Sequence, residues 1–231
     1  MTQEGGTFQI GIAIYEGVDL LDVAAPYEVF NWMKESLKGK RDVSVKLLAA
    51  ESKVVGTRDK LPLTPQMIFH DAPQLDLLWV PGGSPGALGR MMQDAVYQGF
   101  IKEQAVQATY VVSVCEGALI LAAAGLLDGF KVTTHWAFIP CLKPYRKIKV
   151  AKRYPRFVVN KYKDQEKRTR YVVTGGGISS GLDESLELVK LIAGKDVAES
   201  VQVTTQYFPK PPVKGKLQRA KTCPPLTDDA G

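Results

Sequence analysis

The stretch Thr109-Tyr-Val-Val-Ser-Val-Cys115-Glu-Gly-Ala-Leu-Ile-Leu-Ala-Ala-Ala124 places a cysteine where a β-branched run gives way to small, helix-forming residues. The run before the cysteine predicts a short buried strand, and the Ala- and Leu-rich segment after it predicts a helix. Because these elements almost touch in sequence, we expect Cys115 to lie on a sharp turn. A thiol beside a helix N-terminus is favoured as the thiolate, the form that attacks carbon, although a buried structural cysteine fits the same pattern.

Outside this stretch the chain has the size and composition of one α/β domain, with 231 residues that are 45% hydrophobic. Near-continuous apolar runs predict buried strands at 8–15, 43–50 and 75–80. They alternate with helical segments, which implies a parallel sheet whose ligands bind at the carboxyl ends of the strands. The predicted helices span 26–37, 94–108, 184–193 and 196–207. Asp183 would cap the third of these helices.

The ends of the chain and one internal segment differ from this pattern. Residues 1–7 are polar and predict a flexible N-terminus, 8–208 predict a single domain, and 209–231 form a tail rich in Pro and Lys that we expect to be extended or loose. The apolar segments 157–160 and 171–174 flank a charged loop, which predicts a surface hairpin.

The net charge of +6 comes from basic clusters at 143–170 and 210–221. Such clusters are usually solvated, and no helix-turn-helix or basic-aromatic pattern accompanies them, so we expect no nucleic-acid partner. The N-terminus has no signal-peptide pattern and no apolar run is long enough to span a membrane. These features favour a soluble, cytoplasmic protein without a membrane partner.

The cysteines at 115, 141 and 223 form no CxxC pair and no spacing typical of a metal site. Because their number is odd, the pattern argues against a disulfide scaffold and favours a reducing compartment. We therefore expect neither a disulfide framework nor a bound metal.

Two further features lie at the predicted carboxyl edge of the sheet. The loop Pro81-Gly-Gly-Ser-Pro-Gly86 follows a strand, and the backbone N–H groups of Gly82 and Gly83 could bind a developing oxyanion. Its glycine spacing matches neither a phosphate loop nor a dinucleotide fingerprint. Asp22 falls at or just before the start of the first predicted helix, where it could act as an N-cap or as a partner of the thiol.

The later part of the chain offers less specific candidates. His135 follows Thr133 and Thr134 near the strand edge and could be a base or a neutral core histidine. Ile178 and Leu182 lie in a second Gly-rich passage, where they could line a pocket for a small apolar substrate or pack in the core.

Taken in order, these motifs resemble the DJ-1/PfpI (ThiJ) superfamily and, within it, the isonitrile hydratase branch. The resemblance covers about residues 8–212 and is carried by Gly17-Val-Asp-Leu-Leu-Asp-Val-Ala-Ala-Pro-Tyr-Glu-Val-Phe30, Leu78-Trp-Val-Pro-Gly-Gly83, Ser113-Val-Cys-Glu-Gly-Ala118, Ala123-Ala-Gly-Leu-Leu-Asp-Gly129, Thr133-Thr-His-Trp136 and Thr174-Gly-Gly-Gly-Ile-Ser-Ser-Gly-Leu-Asp183. It implies a flavodoxin-like three-layer α/β sandwich with a mostly parallel sheet, a homodimer, a nucleophile-elbow cysteine at Cys115 and a catalytic carboxylate at Asp22.

The activity implied by this resemblance is a cysteine-dependent hydro-lyase reaction that adds water to an isonitrile and releases an N-substituted formamide. Cys115 would attack the isonitrile carbon, Asp22 would carry protons, and backbone N–H groups of Glu116, Gly82 and Gly83 would stabilise developing charge. No metal or organic cofactor is needed. The alternatives are another cysteine enzyme of the superfamily, such as a glyoxalase, and a non-enzymatic redox- or ligand-sensing module.

One position departs from the branch. Isonitrile hydratases usually carry Cys-Thr-Gly at the elbow and PfpI-type proteases carry Cys-His-Gly, whereas this chain has Glu116 after the cysteine. The missing histidine makes protease activity unexpected. A carboxylate beside the thiol opposes its ionisation if both point the same way. Glu116 could instead face the pocket and alter substrate preference, or it could turn away.

Overall fold

The computed structural model describes residues 6–227 and contains strands that alternate with helices. The strands are β1 Phe8–Ala13, β2 Val43–Ala49, β3 Val55–Gly56, β4 Pro62–Leu63, β5 Met67–Ile68, β6 Leu77–Val80, β7 Tyr110–Ser113, β8 Lys131–Val132, β9 Lys149–Val150, β10 Phe157–Lys163 and β11 Thr169–Gly175. The α-helices are α1 Leu20–Ser36, α2 Pro85–Met91, α3 Ala95–Gln107, α4 Gly117–Ala123, α5 Ser180–Ala193 and α6 Lys195–Thr204. Short 3-10 helices span Phe69–Asp71 and Trp136–Leu142.

A central seven-stranded sheet has the order β10-β11-β7-β6-β1-β2-β5. Every neighbouring pair is parallel except β10 and β11, which are antiparallel. Helices α1, α5 and α6 pack together, and α2 packs on α4, which contacts β6 and β7. Because β6 and β7 are covered by helices, all of their side chains are buried, which explains their continuous apolar sequences. The flavodoxin-like α/β sandwich expected from the resemblance is confirmed.

Helix α1 begins earlier than the sequence indicated, at Leu20 rather than near Pro26, so Asp22 lies in its first turn and is not an N-cap. Proline lacks an N–H, so Pro26 leaves the carbonyl of the residue four positions earlier, Asp22, without its helical donor. The indole Nε1 of Trp79 supplies this bond at 2.9 Å. A tertiary contact therefore allows a proline inside the helix, and it also ties Asp22 to β6.

The charged hairpin is part of the main sheet rather than a separate surface element. Strand β10 extends to Lys163 and β11 begins at Thr169, so only a short turn is exposed. Arg170, expected in the loop, is buried and donates to the carbonyls of Ala105 and Val106 at 2.7 and 3.0 Å. Since the last carbonyls of a helix need donors, this guanidinium fixes the end of α3 against the hairpin.

The expectation that the chain has no disulfide framework is wrong, because Cys141 and Cys223 form a disulfide. An odd number leaves one cysteine free but does not prevent the others from pairing, and the fold brings together residues separated by 82 positions. The pairing removes the argument for a reducing compartment, since disulfides persist mainly in oxidising ones. It also ties the tail to the domain, although the described tail residues 209–227 contain no helix or strand.

Two further predictions concern the ends of the chain and the membrane. Residues 1–5 of the flexible N-terminus and 228–231 of the tail lie outside the described residues. Within residues 6–227, none of the helices combines the length and apolarity that a membrane crossing requires.

Candidate functional site

Cys115, the candidate nucleophile, occupies a strained turn between β7 and α4. Cys115 has φ of 53°, a left-handed conformation that non-glycine residues adopt at a cost. Two bonds hold the turn, because the Cys115 N–H donates to the Gly176 carbonyl at 2.8 Å and the Cys115 carbonyl accepts from Thr134 Oγ1 at 2.7 Å. The expected sharp turn is therefore present, and it connects the end of β7 to the end of β11.

Asp22 lies on the same side of the sheet and is held at both its backbone and its side chain. Its carboxylate Oδ2 accepts the Gly82 N–H at 2.8 Å, while its carbonyl accepts from Trp79. The carboxylate is completely buried, and its Oδ1 has no hydrogen-bond partner. The N–H of Gly82, expected to face an oxyanion, instead positions Asp22.

The glycine loop lets the acidic groups approach the backbone closely. A Cβ built on Gly82 would lie 2.5 Å from Glu116 Oε2 and 2.9 Å from Asp22 Oδ2. Distances this short exclude any side chain at position 82 without displacing those oxygens. Gly83 pairs with Val18 as an isolated antiparallel bridge, which fixes the loop against the segment that leads into α1.

Glu116, the residue that departs from the family pattern, points into the site. Its carboxyl shares a hydrogen bond with the Cys115 thiol, and its Oε1 lies 3.6 Å from Nδ1 of His135. The side chain is buried and its Oε2 has no hydrogen-bond partner. Burial raises the pKa of Glu116 to about 7, against the lowering effect of the bond to Cys115.

The surroundings of Cys115 oppose the thiolate that its position at a helix N-terminus was expected to favour. Burial, followed by the nearby Asp22 and Glu116 carboxylates, raises the pKa of the thiol well above its usual value. Helix α4, which follows Cys115, has only seven residues. The thiol therefore holds its proton to a higher pH than an exposed cysteine does, and attack by its sulfur would need a neighbouring group that accepts the proton.

The carboxyl of Asp22 differs from an exposed aspartate in its pKa. Burial raises its pKa well above the usual range, with further increases from Glu116 and Asp19, while the bond from Gly82 lowers it. A carboxylic acid whose pKa is raised holds its proton to a higher pH and can donate that proton in a reaction. Asp22 is thus suited to act as an acid at the start of a reaction and as a base afterwards.

Sequence reasoning missed two buried acids near this group. Asp19 directly precedes α1, is 4% exposed and pairs with Arg58 at 3.0 Å; burial raises its pKa and Arg58 lowers it. Glu184 on α5 is fully buried, and neither of its oxygens has a hydrogen-bond partner. Burial and then Asp22 raise the pKa of Glu184 well above its usual value. The sequence offered a weak signal for Asp19 alone, because it lies three residues before Asp22 in the same motif.

The remaining candidates lie around this centre. His135 borders the site through Glu116 and Gly177, where a built Cβ would be 2.6 Å from the imidazole Cδ2. Burial lowers the pKa of His135, so the ring is neutral at pH 7. Ile178 and Leu182 are half-buried on the passage into α5 and pack against the core.

Together these residues offer a thiol, two acids that can exchange protons with it, and a neutral imidazole at the edge. Ligand atoms of Asp19, Asp22, Cys115 and Glu116 all lie within 4.8 Å of one another, so the same group could also hold a metal ion. The arrangement is suited to covalent chemistry in which carboxyl groups carry the protons.

Comparisons with known proteins agree with this architecture. The model of the DJ-1/PfpI family matches residues 9–192. The chain is 39% identical to isonitrile hydratase of Pseudomonas putida over 204 residues, which cover 88% of this chain and 80% of that protein. It is 26% identical to the HTH-type transcriptional regulator GbdR of Pseudomonas aeruginosa, over 83% of this chain but 48% of the regulator.

The solved structures include a ThiJ/PfpI family protein from Pseudomonas syringae with a TM-score of 0.77 and 30% identity, covering 90% of this chain and 78% of that one. The family match extends over most of the chain and includes the elbow cysteine, the glycine loop and the first helix. This chain therefore belongs to the DJ-1/PfpI family.

Proposed function

We propose that this protein is a cysteine-dependent hydro-lyase that adds water to a small isonitrile, R–N≡C, and releases the N-substituted formamide. The observation that carries the proposal is that the Cys115 thiol lies within 4.8 Å of the buried carboxyls of Asp22 and Glu116 and shares a hydrogen bond with Glu116. The similarity to isonitrile hydratase supports the choice of substrate class. The reaction consumes water and an uncharged substrate, so it needs acids and a nucleophile but no net oxidant or reductant.

In the first step, sulfur forms a bond to the isonitrile carbon while the thiol proton passes to the hydrogen-bonded Glu116 carboxylate. The Asp22 carboxyl delivers its proton to the same carbon, giving the thioimidate R–N=CH–S–Cys115. Burial raises the pKa of Asp22 well above its usual range and that of Glu116 to about 7, and in this proposal Asp22 is the acid and Glu116 is the base before substrate binds.

In the second step, the Asp22 carboxylate removes a proton from water, whose oxygen bonds to the thioimidate carbon. The nitrogen takes the proton held by Glu116, which leaves a tetrahedral R–NH–CH(OH)–S–Cys115. The carbon–sulfur bond then breaks, the hydroxyl proton passes to sulfur through Glu116, and R–NH–CHO leaves. All three groups return to their starting protonation states.

The burial of the thiol constrains how substrate reaches it. Cys115 and Asp22 have no exposed surface, whereas the side chain of His135 beside Glu116 is 22% exposed. We therefore assign the access route to the His135 side of the site. Ile178 and Leu182 are proposed as apolar walls of that route, which would favour a small apolar R group.

The homodimer is part of this proposal. Leu20 and Leu21, about 40% exposed, lie at the start of α1 beside Asp22, where a second copy could cover them. Sedimentation equilibrium should give twice the mass of 25.3 kDa. A monomer at micromolar concentration would remove this part of the proposal without affecting the chemistry.

The test is formamide formation from an aryl isonitrile, followed by chromatography and run in parallel with methylglyoxal consumption. We expect formamide with the native protein and none above background with Cys115→Ser. The rate should rise with pH through about 7, where Glu116 ionises. Methylglyoxal consumption without formamide would assign a glyoxalase-type reaction instead.

A variant with the residue typical of the branch, Glu116→Thr, tests the departing position. In the mechanism above it removes the group that accepts the thiol proton, so we expect slower formamide formation. Faster formation with Thr would mean that Glu116 serves a different substrate. Glu28 on α1 is exposed and hydrogen-bonded to Trp32, so it is not part of the buried group around Cys115.

A further inference from the structure

Four buried side chains from two segments of the chain converge beneath the glycine loop. Asp19 and Asp22 come from the start of α1, and Cys115 and Glu116 come from the turn before α4. One ligand atom from each lies within 4.8 Å of the others, giving three carboxylate oxygens and one sulfur. The proposed reaction uses three of these residues but leaves Asp19 without a role.

Two buried carboxyl oxygens of this group are available to a ligand. Asp22 Oδ1 and Glu116 Oε2 are buried without a hydrogen-bond partner, in residues that are 0% and 5% exposed. Buried carboxylate oxygens are costly when no donor or cation satisfies them. A Cβ on Gly82 would lie 2.5 Å from Glu116 Oε2 and 2.9 Å from Asp22 Oδ2, so the two carboxyl groups meet beside Gly82.

We propose that Asp19, Asp22, Cys115 and Glu116 form a binding site for Zn²⁺, and that the bound metal blocks the thiol reversibly. A sulfur ligand with oxygen ligands favours zinc over magnesium or calcium, which prefer oxygen alone. When Zn²⁺ binds, it takes a lone pair of the sulfur, and the protons held by the thiol and by the carboxyl ligands are released to the buffer. The coordinated sulfur is then unavailable for attack on carbon.

The four ligand side chains must move slightly closer together to coordinate Zn²⁺. Zinc–ligand bonds of about 2.0–2.3 Å place tetrahedral ligand atoms roughly 3.5 Å apart, so the side chains must close by about 1 Å from their present separation. The Gly82 N–H bond to Asp22 Oδ2 orients that carboxylate and leaves Oδ1 for the metal. Arg58 neutralises part of the charge at Asp19 and is half-exposed, so it can move as the metal enters.

Binding is tested with Co²⁺ as a spectroscopic substitute and Zn²⁺ by competition with a chromophoric chelator. The full-length protein is stripped with EDTA and kept without reductant, so that the Cys141–Cys223 disulfide persists and Cys115 is the free thiol. We expect one equivalent of Co²⁺ to produce a sulfur-to-cobalt charge-transfer band that Zn²⁺ abolishes. Added Zn²⁺ should also slow alkylation of Cys115 by iodoacetamide, and EDTA should restore it.

Variants assign the ligands. Cys115→Ser should lose the charge-transfer band, and Asp19→Asn and Glu116→Gln should each weaken Zn²⁺ binding by about tenfold or more. Asp128→Asn is the matched control, because Asp128 pairs with Lys147 at 3.0 Å on the surface and should leave affinity unchanged. Thermal unfolding in EDTA confirms that each variant is folded.

A band that survives in Cys115→Ser, or equal Zn²⁺ affinity in Glu116→Gln and Asp128→Asn, would overturn the site, as would a native protein that gives no band. None of these readouts uses an isonitrile. A protein that binds zinc but forms no formamide refutes the proposed reaction alone, and one that forms formamide but binds no zinc refutes this inference alone.

Discussion

Replacing Glu116 by Gln should remove a pH dependence of stability that the native protein carries. Burial raises the pKa of Glu116 from 4.5 in its usual state to about 7 in the folded protein. The folded state therefore keeps a proton that the unfolded chain releases between these values. Stability from this group is fully present below about pH 4.5 and is lost as the pH rises through about 7.

The size of the effect follows from the two pKa values. A shift of about 2.5 pKa units corresponds to roughly 3.4 kcal/mol in total, of which about 2.5 kcal/mol is lost between pH 5 and pH 8. Glu116 is buried, so solvent screening does not reduce this figure greatly. Because Gln does not ionise, Glu116→Gln should lose stability over this range by about 2.5 kcal/mol less than the native protein.

Urea unfolding at pH 5 and pH 8, in EDTA to exclude metal, measures the difference. Glu103→Gln is the matched control, since Glu103 is exposed on α3 and should leave the native pH dependence unchanged. Equal slopes of stability against pH in the native protein and in Glu116→Gln would refute the assignment of a proton to this carboxyl.

Three further predictions concern the centre of the site. Asp22→Asn keeps an acceptor for the Gly82 N–H, so the melting temperature should change little, while formamide formation should fall by about a hundredfold or more; unchanged turnover would remove Asp22 from the mechanism. In the absence of reductant, mass spectrometry should show at most one iodoacetamide label, at Cys115. The label should form slowly at pH 7 and faster at higher pH, because the pKa of the thiol is raised. Labelling of Cys141 would contradict the disulfide. Gly82→Ala should reduce turnover by about tenfold or more, because the new Cβ would displace the Glu116 and Asp22 oxygens. The control Gly99→Ala places its methyl in open space and should leave turnover unchanged. Equal rates in the two variants would refute the close approach of these oxygens to Gly82.

The sequence was sufficient to predict features set by local periodicity. The change from β-branched to small residues around Cys115 predicted the turn, because strand and helix propensities change within two positions. Alternating strands and helices predicted the carboxyl edge, where Asp22, Gly82 and Cys115 lie together. These features need no knowledge of distant contacts.

The features that were missed depend on contacts between distant segments. The start of α1 was placed too late because Pro26 is tolerated only through the indole of Trp79, 57 positions after Asp22. The Cys141–Cys223 pair is formed by a tail with no regular structure that could have predicted it. Glu184 looks like an ordinary acid in the first turns of a helix, and only the packing of α5 on α1 shows that it is buried.

The concentration of buried acids around a single thiol separates this site from the structural core. Burial raises the pKa of Asp22 well above its usual range and that of Glu116 to about 7, so both neighbouring carboxyls hold their protons to a higher pH than exposed acids do. The proposed mechanism uses Asp22 as the proton donor and Glu116 as the acceptor. The hydrogen bond from the Gly82 N–H orients the Asp22 carboxyl, and the hydrogen bond with the Cys115 thiol places the Glu116 carboxyl beside the sulfur. In the proposed mechanism, Glu116, the residue that departs from the branch pattern, is the base that the buried Cys115 thiol requires.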